Sequence, residues 1–305
     1  MPAKTDDARM LDWLIFLAVP CLFSSNIIFG RGILGEIGPF ITAFIRWFGA
    51  MLIVLPFMLR DWRACYDFMR YHSLIWLSLG MLGMGICGGA VYWALTKTTA
   101  ANATLIYTTA SLFTLFLQWL FQGRRLDMRE ISGMMLGFCG VAVIVLKGAP
   151  EALFALHFNS GDLIMILAAI AFALYSLLLR HPAVTALRPI SLFGTLALSG
   201  ALVLFLPAAA EIAYGAPLPT TRMDFLKLGG IILFASLMAF YSFQHSVRVF
   251  GPALASMTLY LMPPVSIIMA VTLLGETFRA YHAAGIVLVM SGLFLATARR
   301  RKNSV

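Results

Sequence analysis

Of 305 residues, 61% are hydrophobic and only 11% charged, and the mean hydropathy is +0.91, whereas ordinary soluble domains carry about a quarter charged residues. That excludes a soluble globular chain. Ten spans of about 20 residues would use roughly two thirds of it, which also excludes a sizeable extramembrane domain. The net charge of +9 would point to nucleic acid only if Lys and Arg shared one folded surface, and their distribution over the loops excludes that partner.

The chain opens with Lys4 and Arg9 before an apolar stretch from Leu11. That order is similar to the start of a signal peptide, but the apolar run is too long and further spans follow, so it reads as a first transmembrane helix. Apolar windows predict helices over 11–30, 39–59, 73–96, 99–121 and 130–147, then over 162–180, 189–207, 226–247, 253–274 and 280–298. Loops with Gly, Pro or charge separate them, and the longest, 148–161 and 208–223, are too short to be domains. Cys21, Cys87 and Cys139 fall in apolar segments and Cys65 in a basic loop. Four scattered cysteines make no disulfide framework and read as reduced packing residues.

With loops assigned alternately to two sides, fifteen of the 22 Lys and Arg fall on the side of the amino terminus, six on the other, and Arg46 inside a span. The positive-inside rule then puts both termini in the cytoplasm, which requires an even number of spans. The halves also resemble each other. Residues 12–18 (DWLIFLA) precede 162–168 (DLIMILA) by 150, as Pro39 precedes Pro189, and Gly133 and Gly140 repeat at the spacing of Gly285 and Gly292. Five helices per copy is odd, so the second copy must lie upside down relative to the first. The predicted fold is therefore an all-α integral membrane protein of ten transmembrane helices, in two inverted five-helix repeats over 1–150 and 151–305. Such transporters hold their substrate near the midplane between the repeats.

All thirteen acids fall in loops or at helix ends. An embedded carboxylate is the usual proton relay, so carboxylate-driven proton antiport and an aspartate-rich, metal-dependent transferase both lack support. Asp12 and Asp162 read as favourable charges at helix N-termini. Arg46 lies seven residues, about 10 Å, beyond Pro39. Such a charge either binds a substrate, with a carboxylate as natural partner, or hydrogen-bonds neighbouring carbonyls as a structural Arg.

Thr104, Tyr107, Thr108, Ser111, Thr114 and Gln118 recur every three to four residues on the fourth helix, a stripe suited to lining a cavity or to interhelical hydrogen bonds. The ninth answers with Ser256, Tyr260 and Pro263-Pro264, whose missing N–H groups free the carbonyls of Leu259 and Tyr260 to accept from an ammonium. Tyr241, Gln244 and His245 lie towards the cytoplasmic end of the eighth helix, where His245 is either a packing residue or a titrating one. Asn26, Tyr92 and Tyr175 complete the candidate substrate-binding set, which holds no metal site and no cofactor site. Gly83-x-Gly85-x-x-Gly88 matches the dinucleotide fingerprint only in letters. Lacking the strand and the ribose-binding acid, it reads as close helix packing. Asn102-Ala103-Thr104 matches a glycosylation acceptor inside a helix, out of a transferase's reach.

Two five-helix copies, the run from Ala94 to Ala103 opening the fourth helix, Gly251-Pro252-Ala253-Leu254-Ala255, Pro263-Pro264, Leu274-Gly275-Glu276 and the Gly285 to Gly292 helix together resemble the drug/metabolite transporter superfamily in its EamA branch. The likeness spans nearly the whole chain. It departs at Ala110-Ser111, where a proline pair would fall, and at Gly123-Arg124, where Gly275-Glu276 would. Within the branch the chain looks most like YddG-type aromatic amino-acid exporters. That resemblance implies a cofactor-free, bacterial inner-membrane exporter of neutral and aromatic amino acids, with membrane lipid as its surroundings. It is not an enzyme, and its oligomeric state is open, a monomer sufficing. With no buried carboxylate, uniport or exchange is the expected mode. The alternative is a multidrug or lipophilic-cation exporter of the same fold, against which the missing embedded acid counts.

Overall fold

A computed structural model describes residues 9–30, 33, 35–98, 100–123, 127–149, 151, 159–274 and 277–297, and their side chains except at 26–30, 100–102, 266, 269–270, 273–274 and 297. Of the residues singled out above, Lys4, Arg124, Gly275, Glu276 and the side chains of Asn26, Asn102 and Leu274 lie outside the described residues.

Every regular element among the described residues is a helix: α1 (Met10–Gly30), α2 (Pro39–Arg60), α3 (Trp62–Tyr71), α4 (Ser73–Ala94), α5 (Ala100–Thr108), α6 (Ala110–Gln122), α7 (Met128–Val145), α8 (Ser160–Leu178), α9 (Pro182–Thr185), α10 (Pro189–Ala213), α11 (Arg222–Phe250), α12 (Pro252–Ser256), α13 (Thr258–Leu274) and α14 (Ala280–Thr297). Among the described residues seven helical stretches are long and apolar enough to cross a membrane, and they coincide with seven of the ten expected windows. The other three windows hold α1, α12 with α13, and α14. Local chemistry sets the starts. Proline opens α2 and α10, where its missing N–H costs nothing. Capping boxes built on Asn159 with Asp162 and on Thr221 with Asp224 open α8 and α11.

Two features depart from the expectation. Cys65 lies not in a loop but on α3, a short amphipathic helix that buries Cys65 and Phe68 and exposes Trp62 and Tyr66; its interleaved Arg63, Asp67 and Arg70 lower the mean hydropathy and hide the apolar face. The middles of α4 (Gly80–Ala90) and α11 (Ile231–Met238) widen into π-helical turns, which carry no composition cue.

The long helices pair antiparallel. A Cβ on Gly133 would lie 2.5 Å from the Gly292 carbonyl oxygen and one on Gly140 2.7 Å from that of Gly285, so α7 and α14 touch backbone to backbone and only glycine fits. Along α2 and α10 the ends are tied crosswise. Glu211 accepts from the Phe40 and Ile41 backbone N–H groups at 2.9 Å each. At the other end Asp61 accepts from Ser191 at 2.7 Å and faces Arg188 at 3.4 Å. Each carboxylate meets the positive end of its partner helix, and the two acids stand 150 residues apart. The glycines of α4 serve close packing, as expected: Gly80 faces Ser199, Gly83 the Tyr175 ring and Gly88 the Trp47 indole.

Candidate substrate cavity

A cavity of about 220 Å³ opens between α1, α2, α4, α5, α8, α11 and α13. Its walls are mostly apolar. Phe23, Phe172 and Phe240 supply rings, and Met165, Met262, Leu95, Leu259 and Val91 supply flexible or branched surface. Phe172 lies 5.7 Å from the Tyr107 ring and 4.7 Å from Phe243, so a stack of aromatic side chains backs the lining.

Arg46 is the charge in this wall. It is 5% exposed and held from three directions: Nε donates to Ser236 Oγ at 2.8 Å, Nη1 to the Tyr92 hydroxyl at 2.9 Å and Nη2 to the Ala235 carbonyl at 3.1 Å. Two of these acceptors lie in the widened turn of α11, where Ser236 Oγ in turn donates to the Ile231 carbonyl five residues back. The guanidinium also sits 4.9 Å from the Trp47 ring centroid and 5.5 Å from that of Tyr92, within cation–π range. A guanidinium has five N–H groups, so two remain after these three bonds.

Thr104, Tyr107, Thr108 and Pro263 join Arg46 in the lining. The Thr108 hydroxyl donates to the Leu105 carbonyl at 2.8 Å. Pro263 has no N–H to offer Leu259, whose carbonyl four residues earlier therefore lacks its helical partner. Tyr92 stands behind Arg46 as its acceptor. Among the described residues, the other candidates are not part of the wall. Ser111 donates to the Ser256 carbonyl at 2.7 Å and Ser256 Oγ to Ala253 at 2.9 Å, so Ser111 fastens α6 to α12 rather than lining space. Tyr175 accepts from Gln244 Nε2 at 2.9 Å, one layer out. Tyr260 is buried against Gly137 of α7, Pro264 is buried on α13, and Tyr241 packs against the main core. His245 faces Asp12 across α1 and α11 at 2.7 Å, a pairing that neither residue announces alone.

Sequence reasoning missed Ser236, Cys87 and the whole apolar wall. In a chain this hydrophobic, an apolar side chain facing a cavity carries the same signal as one facing lipid. The intramembrane serine at 236 was the one cue available. Among the described residues no group of three His, Cys, Asp or Glu side chains could hold a metal ion.

A model of the EamA-like transporter family matches residues 11–146 and again 159–298. The chain belongs to the EamA-like transporter family. Among its relatives, the Bacillus subtilis (strain 168) protein named "Uncharacterized transporter YetK" is 22% identical over 96% of this chain and 89% of its own length. A Streptantibioticus cattleyicolor protein named "Probable terminal-alkyne amino-acid exporter" is 26% identical over 72% of this chain and 71% of its own. A solved crystal structure superposes with a TM-score of 0.77 at 18% identity, covering 95% of this chain and 97% of that one, which shares the fold. This EamA protein is thus a multi-pass membrane transporter for a small molecule, of the superfamily anticipated from its motifs.

Proposed function

We propose that this EamA protein exports neutral and aromatic amino acids across a bacterial inner membrane, by alternating access around the cavity at Arg46. The observation that carries the reading is the pairing of two uncommitted Arg46 N–H groups with a wall of rings and aliphatic side chains. A planar fork suits a carboxylate, and the apolar wall suits the remainder of an aromatic or aliphatic amino acid. Arg46, Tyr92, Thr104, Tyr107, Thr108 and Pro263 are then the binding residues nearest the solute, with Tyr175, Gln244 and Tyr241 behind them. The charge of the wall favours this class over the multidrug alternative, since a lipophilic cation would meet the fixed positive charge of Arg46 with no described acid to offset it. The amino-acid exporter among the relatives agrees.

Two five-helix halves, 1–150 and 151–305, form the inverted repeats of the working transporter, ten spans with both termini cytoplasmic. The antiparallel contacts of Gly133 with Gly292 and Gly140 with Gly285 support that architecture, as does the crossed capping by Asp61 and Glu211. Uniport or exchange is the mode that fits a cavity whose described lining holds no acid; the buried Asp162 of α8 is tied to Asn159 and Thr98 away from it. Efflux of labelled amino acids from proteoliposomes, with and without a pH gradient, tests it. Gradient-independent efflux of neutral and aromatic amino acids is the expected result. Movement of a lipophilic cation but of no amino acid would transfer the function to drug export.

A further inference from the structure

The cavity wall holds one fixed positive charge and, among the described lining residues, no negative one. Sequence places no acid in the middle of a predicted span, and the structure puts Asp67 on the short helix α3. The acids described at the ends of α1, α8 and α10 are committed elsewhere: Asp12 to His245, Asp162 to Asn159 and Thr98, and Glu211 to the start of α2. Arg46 therefore sits desolvated on three neutral oxygens. A guanidinium does not shed its proton inside a protein, so this charge cannot relieve itself as a buried Lys or His would. Only an incoming anion removes the cost of burying it unpaired.

The class of anion follows from the charge of the loaded cavity. A zwitterionic amino acid brings a carboxylate to Arg46 but leaves the site at +1 overall. Its ammonium must then be desolvated beside the same fixed positive charge, against a wall that is mostly apolar. A carboxylate of the same shape without the ammonium leaves the site neutral and asks nothing of the apolar wall. We infer that the preferred occupant is a small monoanionic carboxylic acid with an apolar or aromatic body, of the 2-oxo, 2-hydroxy or arylalkanoic type, and that neutral amino acids are its weaker analogues. This rests on the reading of the cavity as the transport site and specifies the chemistry that the site selects.

The test is a binding series on purified protein at neutral pH that holds the ring constant and varies only charge: 3-phenylpropionate, phenylalanine and phenethylamine, titrated by calorimetry. The expected order is 3-phenylpropionate about tenfold tighter than phenylalanine, with no binding of phenethylamine. Phenylalanine binding as tightly as 3-phenylpropionate overturns the inference while leaving amino-acid export standing. Failure of all three to bind, with no efflux of any amino acid, overturns the cavity reading itself. Arg46→Gln should abolish the preference for the anion. If that variant does not fold, Tyr92→Phe, which removes one of the three bonds aiming the guanidinium, should narrow the ratio without disturbing the wall. A ratio unchanged in Tyr92→Phe and Arg46→Lys alike would also overturn the inference.

Discussion

Asp12 and Asp162 stand 150 residues apart, each in the first turn of a helix, and each closes a different end of the bundle. Asp12 accepts from the Arg9 backbone N–H at 2.8 Å and meets His245 at 2.7 Å, beside Arg9 and one turn from Tyr241 and Arg248. Asp162 accepts from the Asn159 backbone N–H at 2.9 Å and from the Thr98 hydroxyl just beyond α4. Its side chain is fully buried, whereas Asp12 and His245 keep 17% and 21% of theirs exposed. One junction joins α1 to α11 through an imidazole that keeps part of its surface exposed. The counterpart joins α8 to the end of α4 through the Thr98 hydroxyl. The same acid, used twice, thus makes a partly exposed contact at one end and a fully buried, fixed one at the other.

Removing the fixed contact should cost most. Asp162→Ala deletes a capping box and a buried hydrogen bond together, and the expected loss is about 2 kcal/mol, read as a lowered thermal unfolding midpoint in detergent and exceeding that of Asp12→Ala. An equal or smaller loss would mean that burial does not separate the two junctions. Next comes the partly exposed junction. His245→Ala takes the partner across α1 and α11 from Asp12 and leaves it only the Arg9 backbone N–H, so the same midpoint should fall, by less than in Asp162→Ala; His245→Gln, which can still donate to Asp12, should recover part of the loss. Thr98→Val removes a single bond and should cost about 1 kcal/mol. The smallest effect is expected at Cys65, whose thiol is pushed up by burial on α3 and by the nearby Asp61 carboxylate. It should stay unlabelled at neutral pH, where the reactive thiolate is scarce, and mass spectrometry should find it modified only as pH climbs beyond the ordinary thiol range.

Much of the scaffold was legible because membrane burial writes itself in composition. The windows for α2, α4, α7, α8 and α10 follow from runs of apolar residues, and the spacing shared by Gly133–Gly140 and Gly285–Gly292 marked a likeness of the halves, though not the contact these glycines make between α7 and α14. Arg46 was visible as a lone charge and Pro263 as a break in hydrogen bonding. The polar stripe left two readings open, because Ser111 and Thr114 satisfy backbone carbonyls with the same periodicity that a cavity lining would have. The crossed roles of Asp61 and Glu211 were hidden because an acid at a helix end has an ordinary local explanation. The π-helical turns had none, since they depend on which neighbours a helix meets and not on its own residues.

The crossed capping of α2 and α10 bears on how the chain is made. The Glu211 carboxylate that satisfies the first N–H groups of α2 lies 171 residues downstream of Phe40. At about 5–20 residues per second, a ribosome needs roughly 10–30 s to supply it. Throughout that interval the start of α2 must rely on water or lipid headgroups, and α10 arrives to find Asp61 waiting. The first half is therefore born without its anchor and the second half with one, so truncation after the first half should leave a product that quality-control proteases remove, although every one of its apolar windows is intact.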